Sequence, residues 1–95
     1  MSEIGKIIFR THSIIRMFQR RVDEKDVRTV LETGEIIEAY PDDTPYPSRL
    51  MLGWLGSRPL HVVAAENIAA NETIVITVYE PEQNKWSHNF KRRIP

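Results

Sequence analysis

The hydrophobic period of the chain changes once, at Gly34, and that change limits the possible folds more than any other feature. Before it, apolar residues recur about every 3.6 positions; after it, they recur about every second position. From about His12 to Arg21, one side of a helical wheel collects Ile14, Ile15, Met17 and Phe18, and the other His12, Ser13, Arg16, Gln19 and Arg20. Thr11 is placed to cap this helix. A second helix has a stronger start: Asp23 can cap, Asp26 follows three residues later, and Val22 can staple onto Val27. It should end at Gly34, and its stripe of Val27, Val30 and Leu31 must pack on a sheet.

Strands are expected at residues 35 to 40, 49 to 55, 59 to 66 and 73 to 80. Segment 41 to 48 holds Pro41, Pro45 and Pro47 and cannot pair as a strand. Gly56-Ser57 is a two-residue hairpin signal, and residues 67 to 72 should join the last two strands. The expected fold is α+β: two N-terminal helices packed on a four-stranded antiparallel meander, in two layers. A short extended piece at Lys6 to Phe9 is a candidate edge strand. From Pro81 onward the chain reads as loop, pinned by Trp86 or Phe90.

Register decides which side chains share a face. Setting Leu55 opposite Arg58 groups Leu50, Leu52, Trp54, His61, Val63 and Ala65. The last strand can then present either Ile74, Ile76 and Val78 beside His61, or Val75, Thr77 and Tyr79. The second choice is favoured, because it leaves Ile74, Ile76 and Val78 with Leu60 and Val62 as a continuous core side.

At 95 residues the chain is read as one domain, with a core over about 7 to 86 and a basic tail over 87 to 95. A domain this small has little room for a large internal cofactor, so no cofactor is expected. The absence of cysteine removes disulfides, thiolate catalysis and Cys-containing zinc sites, and fits a reducing, cytoplasmic setting. The acidic start Met1-Ser2-Glu3 lacks a signal-peptide pattern, and the apolar stretch from Leu50 to Leu55 is far shorter than a membrane span, so no membrane association is expected.

Thirteen Lys and Arg balance thirteen Asp and Glu, but unevenly. Arg10 to Arg21 holds four arginines and no acid, Lys85 to Arg93 holds four basic residues and no acid, and acids predominate between them. Two basic segments on an acidic body suggest a local anion site.

His12, Arg16 and Arg20 stand at i, i+4 and i+8, one turn apart on one helix face. In the first turn, His12 would meet free N–H groups and the positive end of the helix dipole, which attract an anion. The dipole and the guanidinium groups disfavour another positive charge, so the imidazole should be able to accept a proton. The same pattern also suits a solvated helix face. His61 in an apolar strand suits a hydrogen-bonded histidine at the core boundary as well as catalysis, and Tyr79 suits packing as well as chemistry. The three histidines and Asp42-Asp43 match no metal-ligand spacing.

Several pieces together resemble a family of small bacterial proteins classed as domain of unknown function 4258. They are His12 with Arg16-Met17 and Arg20; Asp26-Val27 with Val30-Leu31; Gly34-Glu35-Ile36-Ile37; Tyr40-Pro41-Asp42; Arg58-Pro59-Leu60-His61-Val62-Val63; and Ile76-Thr77-Val78-Tyr79-Glu80-Pro81. The resemblance spans about Phe9 to Trp86. Ser13 departs from it, since the family often carries Ala after the first histidine; on the polar face, Ser13 should be harmless. Members resemble toxin-like proteins encoded beside zinc-finger antitoxins, with a layout similar to the RelE-like and barnase-like ribonucleases. The resemblance implies a metal-independent RNA endonuclease in which a ribose 2′-OH attacks the adjacent phosphate.

In that reading His12 is the base, His61 or Tyr79 the acid, and Arg16 with Arg20 the phosphate clamp, with Arg58 a further phosphate ligand. RNA and a small antitoxin-like protein are the implied partners. Two other readings stand beside it. One is a non-catalytic module whose basic helix and tail dock onto an acidic partner or RNA. The other is a partner-dependent subunit whose outer sheet face is covered, suggested by Leu50 and Leu52 on one face against Met51 and Leu55 on the other.

Overall fold

The computed structural model describes residues 4–95; the start Met1-Ser2-Glu3 lies outside them. Strand β1 (Lys6–Phe9) is followed by helices α1 (Thr11–Arg20) and α2 (Glu24–Thr33) and strands β2 (Glu35–Tyr40), β3 (Ser48–Leu55), β4 (Arg58–Asn67) and β5 (Glu72–Tyr79). The sheet has five strands in the order β1-β5-β4-β3-β2. The α+β class holds, but the sheet is mixed rather than a four-stranded antiparallel meander. β1 is a full edge strand and runs parallel to β5, pairing Lys6 with Glu72 and Phe9 with Val75. Four residues containing the run Ile7-Ile8-Phe9 show no alternation, so their pattern alone could not secure a strand.

Helix α2 forms where its signals place it. Asp26 N–H donates to Asp23 Oδ1 and Asp23 N–H donates to Asp26 Oδ2, each at 3.0 Å, completing a capping box. Val27, Val30 and Leu31 are buried against β3 and β4. The approach is close: a Cβ on Gly53 would lie 2.4 Å from Val30 Cγ2, so glycine lets helix and strand meet.

Helix α1 starts at Thr11 itself, so its cap position falls on Arg10, one residue before the expected one. Arg10 is the extended flanking residue and makes no side-chain cap, because a guanidinium has no acceptor to offer; its N–H donates to Val75 O and its carbonyl accepts from Ile14 N–H. The helix ends in a Schellman turn. Arg21 adopts the left-handed conformation (φ 56°, ψ 49°), Val22 N–H donates to Met17 O, and both Val22 and Met17 enter the core.

The expected orientation of α1 is corrected. Its buried stripe is Ser13 and Met17, whereas Ile14, Ile15 and Phe18 are exposed. Ser13 is therefore not on the polar face but fully buried, its hydroxyl donating to Arg10 O at 2.7 Å. α1 packs on β5 near the sheet margin, so only a narrow stripe is covered, and a small residue fits the close approach.

Two apolar layers sandwich the sheet. The helix side joins Met17, Val27, Val30, Met51, Val62 and Val78, among others. On the outer side Leu50 and Leu52 pack with Trp86 and Phe90 from the C-terminal segment. The outer face is thus covered by the chain itself, as far as these residues reach. Residues 87 to 95, expected as a basic tail beyond the core, include Phe90, which is buried. The segment folds back through bonds such as Ser87 N–H to Arg92 O and Ile94 N–H to Lys85 O.

Candidate functional site

β1 ends opposite Val75, and α1 takes its place along the β5 edge. Thr77 to Tyr79 therefore have a helix, not a strand, beside them. His12 Nε2 lies 3.1 Å from Thr77 Oγ1, fixing the start of α1 against β5. At the other end Arg58 Nη2 donates to Arg20 O at 2.8 Å while its Nε pairs with Glu80 Oε1 at 3.1 Å. Four helical residues rise about 6 Å, and two strand residues advance about 7 Å. His12, Arg16 and Arg20 thus keep step with Thr77, Tyr79 and Pro81 along one groove.

Which side chains of β5 face outward depends on a bulge. His61 pairs with Tyr79 and Val63 with Thr77, then the register shifts and Ala64 pairs with Val75 and Ala65 with Ile74. Both registers contemplated from the sequence occur, one in each half of the strand. Thr77 and Tyr79 share His61's face, whereas Val75 turns to the helix-side core, and Ile74 lies opposite Ala65. The extra residue, Ile76, moves the polar pair onto the outer face without exposing the apolar half.

His61 lies beneath the C-terminal segment with no exposed surface. Its Nε2 is 2.8 Å from Phe90 O, its Nδ1 is 3.2 Å from Tyr79 Oη, and the Trp86 ring meets it edge-on at 4.4 Å between centroids. A carbonyl only accepts, so Nε2 carries the proton and Nδ1 accepts from the Tyr79 hydroxyl. Burial lowers the pKa of His61, against the Phe90 bond, which raises it. Burial raises the pKa of Tyr79, Arg93 opposes that shift, and Glu38 adds to it. A neutral imidazole and a protonated phenol result at neutral pH.

Tyr79 opens onto a cavity of about 200 Å³ whose walls include Arg20, Glu80, Glu82, Lys85, Trp86 and Arg93. Its acids are already engaged: Glu80 with Arg58 at 3.1 Å, and Glu82 with Lys85 at 3.2 Å. Arg20 and Arg93 have no ion pair among the described residues, so the cavity keeps surplus positive charge. The Arg93 guanidinium stands over the Trp86 ring at 5.9 Å.

The structure thus places Arg20 and Tyr79 on one cavity and His12 against Thr77, two positions before Tyr79 on the same strand face, with Arg16 between His12 and Arg20 on that flank of the helix. His12 is exposed, as is Arg16 on the same flank of α1. Arg58, expected as a phosphate ligand, ties the end of α1 to Glu80, just past β5, through its two bonds. His61, expected as a possible acid, is sealed from solvent and can act only through Tyr79. Arg93 and Lys85 are not among the site residues expected from the sequence; their charge is visible in the basic segment from Lys85 to Arg93, but the fold-back that delivers them to Tyr79 has no short-range signal. The described residues include no cluster of three His, Asp or Glu side chains placed for a metal, and no helix long and apolar enough to cross a membrane.

Residues 9–80 match the domain of unknown function DUF4258. The chain belongs to this family. Comparison with curated proteins and with solved structures gave no match. The DUF4258 match contains the His12–Tyr79 side of the groove but ends at Glu80, so Lys85, Trp86, Phe90 and Arg93, which close the cavity and seal His61, come from outside it.

Proposed function

We propose that this DUF4258 protein is a metal-independent RNA endonuclease of toxin-like character, acting in the cytoplasm and held in check by a small antitoxin-like protein. The observation that carries the reading is an alignment: His12 is bonded to Thr77, Tyr79 stands two positions further on the same strand face, and the cavity beside Tyr79 holds Arg20 and Arg93, which have no ion pair among the described residues.

His12 accepts the proton of a ribose 2′-OH as that oxygen attacks the adjacent phosphorus. Tyr79 gives its proton to the departing 5′-oxygen, leaving its bond to His61 to do so. The products are a 2′,3′-cyclic phosphate and a 5′-hydroxyl. Arg16, Arg20 and Arg93 hold the non-bridging oxygens, whose charge rises in the transition state. His61 is a positioning residue, and Thr77 orients the His12 ring.

The test is incubation of purified protein with a single-stranded RNA and the matching DNA in EDTA. RNA alone should be cut, to cyclic-phosphate ends. His12→Ala and Tyr79→Phe should each slow cleavage by about 10² to 10⁴. Uncut RNA, or undiminished cleavage by both variants, removes the catalytic assignment. Salt-sensitive RNA binding without cleavage would leave a binding module.

A further inference from the structure

The flank of α1 that turns away from the groove has no role in the reading above. Ile14, Ile15 and Phe18 are 53%, 51% and 86% exposed, although the helix has its own buried stripe in Ser13 and Met17. Ile14 and Phe18 stand at i and i+4 and form one ridge. With the His12 flank fixed against Thr77 on the outer side, this ridge lies on the opposite flank. On the helix side, Ile7 and Phe9 are only partly buried and, with Glu24, Lys25 and Arg28 of α2, line a shallow cleft of about 180 Å³.

Cations predominate around this surface. Arg10 lies one turn before Ile14, Arg21 follows Phe18, and Lys25 and Arg28 border the cleft; all four are exposed, and none is in an ion pair among the described residues. Glu24 is the one acid in the cleft lining. A second copy of this chain would bring the same cations face to face, and like-charge juxtaposition disfavours that pairing. An acidic partner would meet them favourably.

We propose that the Ile14–Phe18 ridge and its basic border form a docking surface for an acidic amphipathic helix of another protein. Apolar anchors at i, i+3 or i+4, and i+7 would cover Ile14, Ile15 and Phe18, and flanking Asp or Glu would face Arg10, Arg21, Lys25 and Arg28. This surface is separate from the groove, and its occupancy does not depend on cleavage.

The probe is a displayed library of helical peptides with apolar residues fixed at i, i+3, i+4 and i+7 and the other positions randomised among Glu, Lys and Gln. Selection on the full chain should enrich Glu. Selected peptides should bind Phe18→Ser at least ten times more weakly than the parent, and lose affinity as salt rises. Circular dichroism should show Phe18→Ser folded, since this side chain is almost wholly exposed. Lys enrichment, no charge preference, or equal binding to Phe18→Ser would overturn the proposal. So would concentration-dependent self-association in sedimentation that Phe18→Ser abolishes, because the occupant would then be a second copy.

Discussion

His61 offers a quantitative test of how the C-terminal segment is held. The ring is buried between Tyr79 and the Phe90 carbonyl, and burial lowers its pKa. In the unfolded chain the same imidazole takes up a proton near pH 6.5. Below that pH the unfolded state binds more protons than the native state, so stability falls with acidity. The contribution is fully present above about pH 6.5 and is lost as the pH drops toward the lower native value. While only the unfolded form takes the proton, the loss approaches about 1.4 kcal/mol per pH unit. A small domain has about 5 to 15 kcal/mol in all, so one pH unit is readily measured.

The perturbation is His61→Phe, which keeps an aromatic ring but cannot titrate. It leaves the Phe90 carbonyl without its donor, and an unsatisfied buried group costs about 1 to 3 kcal/mol. For a domain of this size that lowers Tm by roughly 4 to 8 °C per kcal/mol. Urea denaturation from pH 7.5 to 5 should therefore show a less stable variant at neutral pH whose stability declines less steeply with acidification than the parent's. Parallel curves for the two proteins would refute the account, since they would mean that the ring is not held neutral beneath the segment.

Asp23→Ala should cost about 1 kcal/mol by removing the side-chain acceptor for Asp26 N–H, measured by urea unfolding at neutral pH. Gly53→Ala should destabilise by about 1 to 3 kcal/mol, because the new methyl would meet Val30, and should be partly rescued by Val30→Ala in a double-mutant cycle. Arg93→Ala should weaken RNA binding and flatten its salt dependence while leaving the urea midpoint nearly unchanged, in contrast to His61→Phe.

Features carried by local chemistry were legible in the sequence. The Asp23–Asp26 box, the end of α2 at Gly34 and the Gly56-Ser57 hairpin each depend on a few adjacent residues, and they form as expected. The α1 wheel was less decisive. Ile14, Ile15 and Phe18 are apolar, yet a helix beside a sheet margin buries only a narrow stripe, and the small Ser13 allows close packing where a larger residue would not. Nor does alternation announce the β5 bulge, because Ile74, Val75, Ile76 and Val78 suit either face. The delivery of Phe90 and Arg93 to the outer face depends on a fold-back of the last residues, where Phe90 has φ 62° and no glycine marks the turn.

Ending β1 at Phe9 ties these features together. Had β1 continued, it would pair with Thr77 and Tyr79, and their side chains would lie beside those of an edge strand rather than beside a helix. Because the chain turns into α1 there, a row of basic side chains at helical spacing runs beside polar side chains at strand spacing, and the two spacings nearly match over one turn. The same placement leaves the opposite flank of α1 unsupported by the sheet. One helix therefore carries both the groove and the apolar ridge, so a partner seated on Ile14 and Phe18 would lie within a helix diameter, about 10 Å, of His12 and Arg16. Inhibition by such a partner needs no conformational change: its bulk and its acidic side chains would suffice to keep an anionic backbone away.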